Sequence, residues 1–157
     1  MPKRKSPEKP VKSPCIGVCS TGIGDSVCRG CKRYCHEIIH WNAYSGDEKR
    51  AILERVDVLL SQVVKAKLTI EDEDLLKRQM SLQKIRHDSS SQPYSWVFEL
   101  LKVGASQIED LRDFGCSVLP EFASMSMSDL RDSIDEDFYV LSSVHYQRYF
   151  EVNPPQS

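Results

Sequence analysis

With 157 residues, 21 Lys/Arg, 23 Asp/Glu and 40% hydrophobic side chains, the chain has apolar content for one ordinary domain, or for a small stapled module plus a modest helical one. No stretch approaches the ~20 apolar residues that cross a bilayer, which excludes a membrane-spanning helix. The net charge of −2 hides a polarised chain: residues 1–36 carry eight Lys/Arg against two Asp/Glu, and residues 88–157 carry four against twelve.

That asymmetry predicts ends that face different partners, or each other. Residues 1–13 contain Pro2, Pro7, Pro10 and five basic side chains, and read as a basic flexible tail. No apolar run follows them, so neither a secretory signal nor an anchor is expected and the compartment is taken as cytoplasmic. Such a tail either keeps the protein soluble or contacts the phosphates of a nucleic acid.

From residue 14 to 36 there is too little aliphatic content for a core, and Ser20–Asp25 (STGIGD) is turn chemistry. A helix is expected from near Lys32 to about Trp41, which would set Cys31 at its N-terminus. Ser45 and Glu48 then form a capping box. It opens a helix whose stripe is Ile52, Val56, Leu59, Leu60 and Val63. Thr69-Ile70-Glu71-Asp72 resembles a second start, followed by Leu75, Leu76, Met80, Leu82 and Ile85. The pair reads as a helical hairpin joined near Lys67, so residues 14–87 form a cysteine module plus hairpin.

Residues 88–93 (DSSSQP) read as a linker, and 94–150 as an acidic, mainly helical segment. Leu130, Ile134, Phe138 and Leu141 recur at helical spacing, although Phe138–Leu141 would also suit a buried strand. Residues 151–157 read as a frayed tail. The fold class is mainly α: a small cysteine-rich metal knuckle, a helical hairpin and an acidic, mostly helical C-terminal segment.

The cysteines carry the chemistry. Five of six fall within 15–35: Cys15-x3-Cys19, then Cys28-x2-Cys31, then Cys35, with Cys116 apart. Two close pairs across a short loop are what one metal centre needs, since each turn supplies two thiolates and the loop closes the shell. In a reducing compartment such clusters are ligands more often than disulfides. Arg29, Lys32 and Arg33 would offset the negative centre. Both zinc and an iron–sulphur cluster accept four thiolates.

The pattern Ser13-Pro14-Cys15-Ile16-Gly17-Val18-Cys19, then Cys28-Arg29-Gly30-Cys31-Lys32-Arg33, then Glu37-Ile38 and Trp41, resembles the YdhL-like bacterial family of small proteins of unknown function, labelled predicted Fe–S proteins. The resemblance covers about residues 13–55. It implies metal ligands Cys15, Cys19, Cys28 and Cys31, with Glu37 and Trp41 as signature residues, and its label tips the expected cofactor to Fe–S over Zn. Tyr34 stands where that family usually has threonine, and Cys35 falls at a variable position.

Cys35 therefore reads as a helix-face residue, and His36 and His40, four apart, as packing or surface histidines, with a mixed three-cysteine-plus-histidine shell left open. Cys116 reads as a buried small apolar residue. No GxSxG, Walker loop or HExxH is present, and an enzyme is the least favoured class. The expected function is a non-catalytic metal-binding protein with a structural, electron-transfer or sensing role. The alternative is a zinc-knuckle adaptor that binds nucleic acid or a protein partner through its basic N-terminus.

Overall fold

In the computed structural model, residues 11–17 and 19–152 are described. The tails expected at 1–13 and 151–157 lie largely outside them. Five helices, α1 (Cys35–Ile39), α2 (Gly46–Lys65), α3 (Glu73–Leu82), α4 (Pro93–Gly104) and α5 (Met127–Val152), account for most of the described chain. Strands β1 (Leu68–Ile70) and β2 (Cys116–Val118) pair antiparallel, with Leu68 opposite Val118 and Ile70 opposite Cys116. The fold is mainly α, as the helical patterning required.

Local chemistry accounts for much of this. The Ser45 hydroxyl accepts the Glu48 N–H at 3.1 Å and the Glu48 carboxylate accepts the Ser45 N–H at 3.2 Å, so the expected capping box satisfies two orphan donors at the start of α2. Leu130, Ile134 and Phe138 are buried on α5, and Phe138–Leu141 is helix rather than strand.

Two helix starts differ from the sequence reading. The first lies at Cys35 instead of near Lys32, because Lys32 has φ 61°, a left-handed conformation that no right-handed helix contains. Cys31 consequently has no helix N-terminus beside it. The second start is not at Thr69, which lies in β1. Asp72 is the cap, its carboxylate accepting the Leu75 N–H at 3.0 Å, and Glu73 and Asp74 take the dipole-favoured first turn of α3. The connection between α2 and α3 thus contains a strand whose partner lies nearly fifty residues away, a pairing that local pattern does not reveal.

The chain divides into two compact units, Met1–Val56 with Ser142–Ser157, and Asp57–Leu141. The second unit holds an aliphatic and aromatic core, including Leu60, Val64, Leu68, Leu76, Met80, Val97, Leu101 and Leu111. Residues 88–92 lie inside it as a turn: the Trp96 Nε1–H donates to the Asp88 carbonyl at 3.0 Å and the Gln92 N–H to the Asp57 carboxylate at 3.0 Å. Buried Lys67 sets its ammonium 2.7 Å from the Asp137 carboxylate and 4.4 Å from the Phe122 ring centre, keeping its charge paired. Gly115 accepts the Glu71 and Asp72 N–H groups at 2.8 and 3.1 Å. Its φ is +75° and a Cβ there would stand 2.3 Å from the Asp72 carbonyl oxygen, so glycine alone fits.

Cys116 is buried in this unit, and burial, with a smaller push from Glu71, raises its thiol to about 12. The unfolded thiol ionises near 8.5. Above that pH the unfolded state loses a proton that the folded state keeps, so stability falls as pH rises toward 12, by about 1.4 kcal/mol per pH unit from this group. The urea midpoint of wild type is expected to drop faster than that of Cys116→Ala between pH 8 and 10.5. Parallel profiles would show that the folded thiol ionises normally.

Candidate metal centre

The first unit is built on different material. Among its described residues, Val27 and Ile52 are the buried aliphatics; the rest of the buried set is Ser20, Cys28, Cys31, Lys32, Arg33, Tyr34, Glu37, Trp41 and Ser142. Two aliphatic side chains contribute only about 3–6 kcal/mol of burial. Holding the 56 described residues of this unit in shape needs more than that, even with the buried Tyr34 and Trp41 rings added.

Residues 26–35 form a tight hairpin. The Cys35 N–H donates to the Ser26 carbonyl at 2.8 Å, Cys28 N–H to Arg33 O at 2.9 Å, and Lys32 N–H to Cys28 O at 2.8 Å, with Val27 bridged to Tyr34. Lys32 at positive φ closes the turn, which aims backbone donors inward. Burial raises the Cys28 thiol, but hydrogen bonds from the backbone at Cys31, Ser20 and Gly30 and from the Cys31 thiol outweigh it and bring it down to about 7. Burial likewise pushes Cys31 up, and there it prevails over the Arg33 side chain and amide. One sulphur is therefore poised to ionise near neutral pH while its neighbour keeps its proton until something displaces it.

Two cations are buried with these sulphurs. Arg33 donates from Nε to Cys31 Sγ at 3.4 Å and from Nη2 to Ser13 Oγ at 3.0 Å, and its guanidinium lies 4.8 Å from the Trp41 ring centre. Lys32 turns its ammonium back to the Arg29 carbonyl. Cys28 and Cys31 are their neighbours in the turn, where a thiolate would be favoured by the nearby positive charge.

Cys15 and Cys19 are exposed, yet their flanks are tied to the hairpin. Ser13 is held by Arg33, and the Ser20 hydroxyl accepts the Arg29 N–H at 2.8 Å. Cys15 Sγ accepts the Gly17 N–H at 3.4 Å, and Cys19 Sγ lies 2.8 Å from the Thr21 hydroxyl. Among the described residues, no three His, Cys, Asp or Glu side chains stand together as a metal-holding group. The Cys28–Cys31 half is assembled, and the Cys15–Cys19 half is anchored beside it without closing on it. In donor chemistry the set fits a thiolate-bound metal.

Glu37 and Trp41 acquire physical roles. The Glu37 carboxylate accepts the Tyr34 N–H at 2.8 Å and both Arg55 terminal nitrogens at 2.6 and 2.7 Å, capping α1 and fastening it to α2. Arg55 lies 3.9 Å from the Tyr34 ring centre. Trp41 is buried, with Arg33 over its ring and Lys49 at 5.6 Å.

Residues 13–59 match the model of DUF1289, a protein family of unknown function. No curated protein and no solved structure matches the chain. The DUF1289 stretch extends four residues past the resemblance read from the motifs and includes every cysteine except Cys116, along with Glu37, Trp41 and Arg55.

Within the DUF1289 stretch, Cys35 is half-buried with no place in the Cys28–Cys31 turn beyond its backbone bond to Ser26. His36 packs among rings, 5.8 Å from Tyr34 and 5.8 Å from Phe150, and His40 is exposed at the end of α1. Motif reading missed Arg55 as the partner of Glu37, because eighteen residues separate them with no shared period. It also passed over His145, Arg148 and Tyr149, whose i, i+3, i+4 spacing was the available signal.

Proposed function

We propose that the first unit is a metal-stapled module in which Cys15, Cys19, Cys28 and Cys31 hold one metal centre, with a structural role and no catalysis. The observation that carries this reading is the burial of Cys28 and Cys31 in one tight turn, with Arg33 donating to Cys31 Sγ, in a unit whose buried aliphatics among the described residues are Val27 and Ile52. Ionised thiolates suit a turn that buries two basic side chains, and the metal supplies folding energy that the apolar content does not. Four thiolates suit tetrahedral zinc and equally an iron–sulphur cluster. The YdhL-like label favours the cluster, which would add electron transfer or sensing to the structural role.

Elemental analysis of anaerobically purified protein tests this. About one zinc per colourless chain identifies a zinc site, while brown protein with iron and sulphide, bleached by dithionite, identifies a cluster. Cys15→Ser, Cys19→Ser, Cys28→Ser and Cys31→Ser are each expected to lower the metal content at least several-fold. Cys35→Ser and Cys116→Ser are expected to leave it unchanged. Metal-free protein, or a site emptied by Cys35→Ser and retained by one of the four, overturns the assignment.

A further inference from the structure

A cleft lies within the first unit, away from the cysteines. A cavity of about 460 Å³ opens between Tyr34, Glu37 and Arg55 on one side and His145, Arg148 and Tyr149 of α5 on the other, with His36 in its wall. That volume falls within the range of small-ligand sites.

Its carboxylate is already engaged. Both oxygens of Glu37 accept from Arg55, so Glu37 has no charge left over for an incoming cation. Arg55 uses two of its five N–H donors in that pair, and 26% of its side chain stays exposed. His145, Arg148 and Tyr149 project from one face of α5 by their spacing. Among the described residues, neither Arg148 nor His145 has a carboxylate partner. The balance of the cleft is positive, with donors on both sides.

The remaining lining is flat and aromatic. The His36 and Tyr149 rings are nearly parallel, 17° between planes with centres 6.1 Å apart, and Tyr149 is 48% exposed. Tyr34 forms the floor under Arg55. Guanidinium forks match phosphate oxygens, and exposed rings offer a stacking platform for a base.

We propose that this cleft binds a nucleoside phosphate, either free or as one unit of a single strand. Its phosphate lies against Arg148, His145 and the outer edge of Arg55, and its base stacks on Tyr149 and His36. This inference is separate from the metal centre, since none of the four proposed ligands lines the cavity.

The test uses the full chain in low salt, with AMP and inorganic phosphate followed by calorimetry and a fluorescent ten-nucleotide single strand by anisotropy. Saturable AMP binding that Arg148→Glu weakens at least tenfold, and Tyr149→Ala several-fold, supports a free nucleotide. Strand binding with the same two losses and no AMP binding supports a strand unit. Inorganic phosphate binding as tightly as AMP removes the rings from the account and overturns the proposal. So does strand binding that survives both substitutions, which would place it elsewhere on the chain, or no binding by any probe. Both side chains are exposed, so the variants are expected to fold. Metal content and melting measured on each variant separate loss of this cleft from loss of the metal centre.

Discussion

Stripping the proposed metal is expected to collapse the first unit. Trp41 is buried there and Trp96 belongs to the second unit, so in a Trp96→Phe background tryptophan emission reports on the first unit alone. A strong chelator, or Cys28→Ser, should move that emission to the red and abolish its cooperative melting. The reasoning is energetic. Structural zinc sites provide about 10–16 kcal/mol of apparent binding energy at neutral pH, whereas the buried aliphatics of this unit are limited to Val27 and Ile52 among the described residues. Without a metal, two ionised thiolates at Cys28 and Cys31 would repel each other, and protonating them gives up the charge-assisted bond that Arg33 donates to Cys31. Identical emission and melting before and after chelation would remove the metal from the folding of this chain.

The second large effect is expected at Glu37. Its carboxylate collects three N–H donors from Tyr34 and Arg55 and is 5% exposed. Glu37→Ala leaves a largely desolvated guanidinium above Tyr34 and an uncapped helix. Breaking such a pair on one side costs about 3–5 kcal/mol, so a loss of about 3 kcal/mol is expected, given that Arg55 is partly exposed. Glu37→Gln keeps an acceptor for the Tyr34 amide and is expected to lose about half as much. Adding Arg55→Met to Glu37→Ala should recover part of the loss, because it removes the orphaned charge. Urea unfolding followed through Trp41 measures all three. A cost below about 1 kcal/mol for Glu37→Ala would mean that the pair is no more than a surface contact.

The two expectations differ in how visible they were from the chain alone. The cysteine spacing was written in adjacent residues, and so was the Ser45–Glu48 box, because knuckles and caps form within a few positions of each other. The stripe of α2 and the Leu130–Phe138 spacing were legible for the same reason. The start of α1 was misplaced because Lys32 adopts a left-handed conformation that no propensity assigns to lysine; the hairpin bonds among Cys28, Lys32 and Arg33 impose it. β1 was missed because a three-residue strand declares itself only through its partner at 116–118.

By itself, the amino-acid order determined that this is a mainly helical chain with two close cysteine pairs at its front, since helical period and cysteine spacing are local properties. The tertiary structure alone decided that Lys32 and Arg33 are buried with Cys28 and Cys31, that Glu37 answers to Arg55, and that Arg148 and Tyr149 meet Tyr34 and His36 around one cleft. The last two bring together charges or rings from segments far apart in the chain, and the first depends on a burial that no local pattern assigns to lysine or arginine. Desolvation and hydrogen bonding set their energies only once the backbone has brought them together.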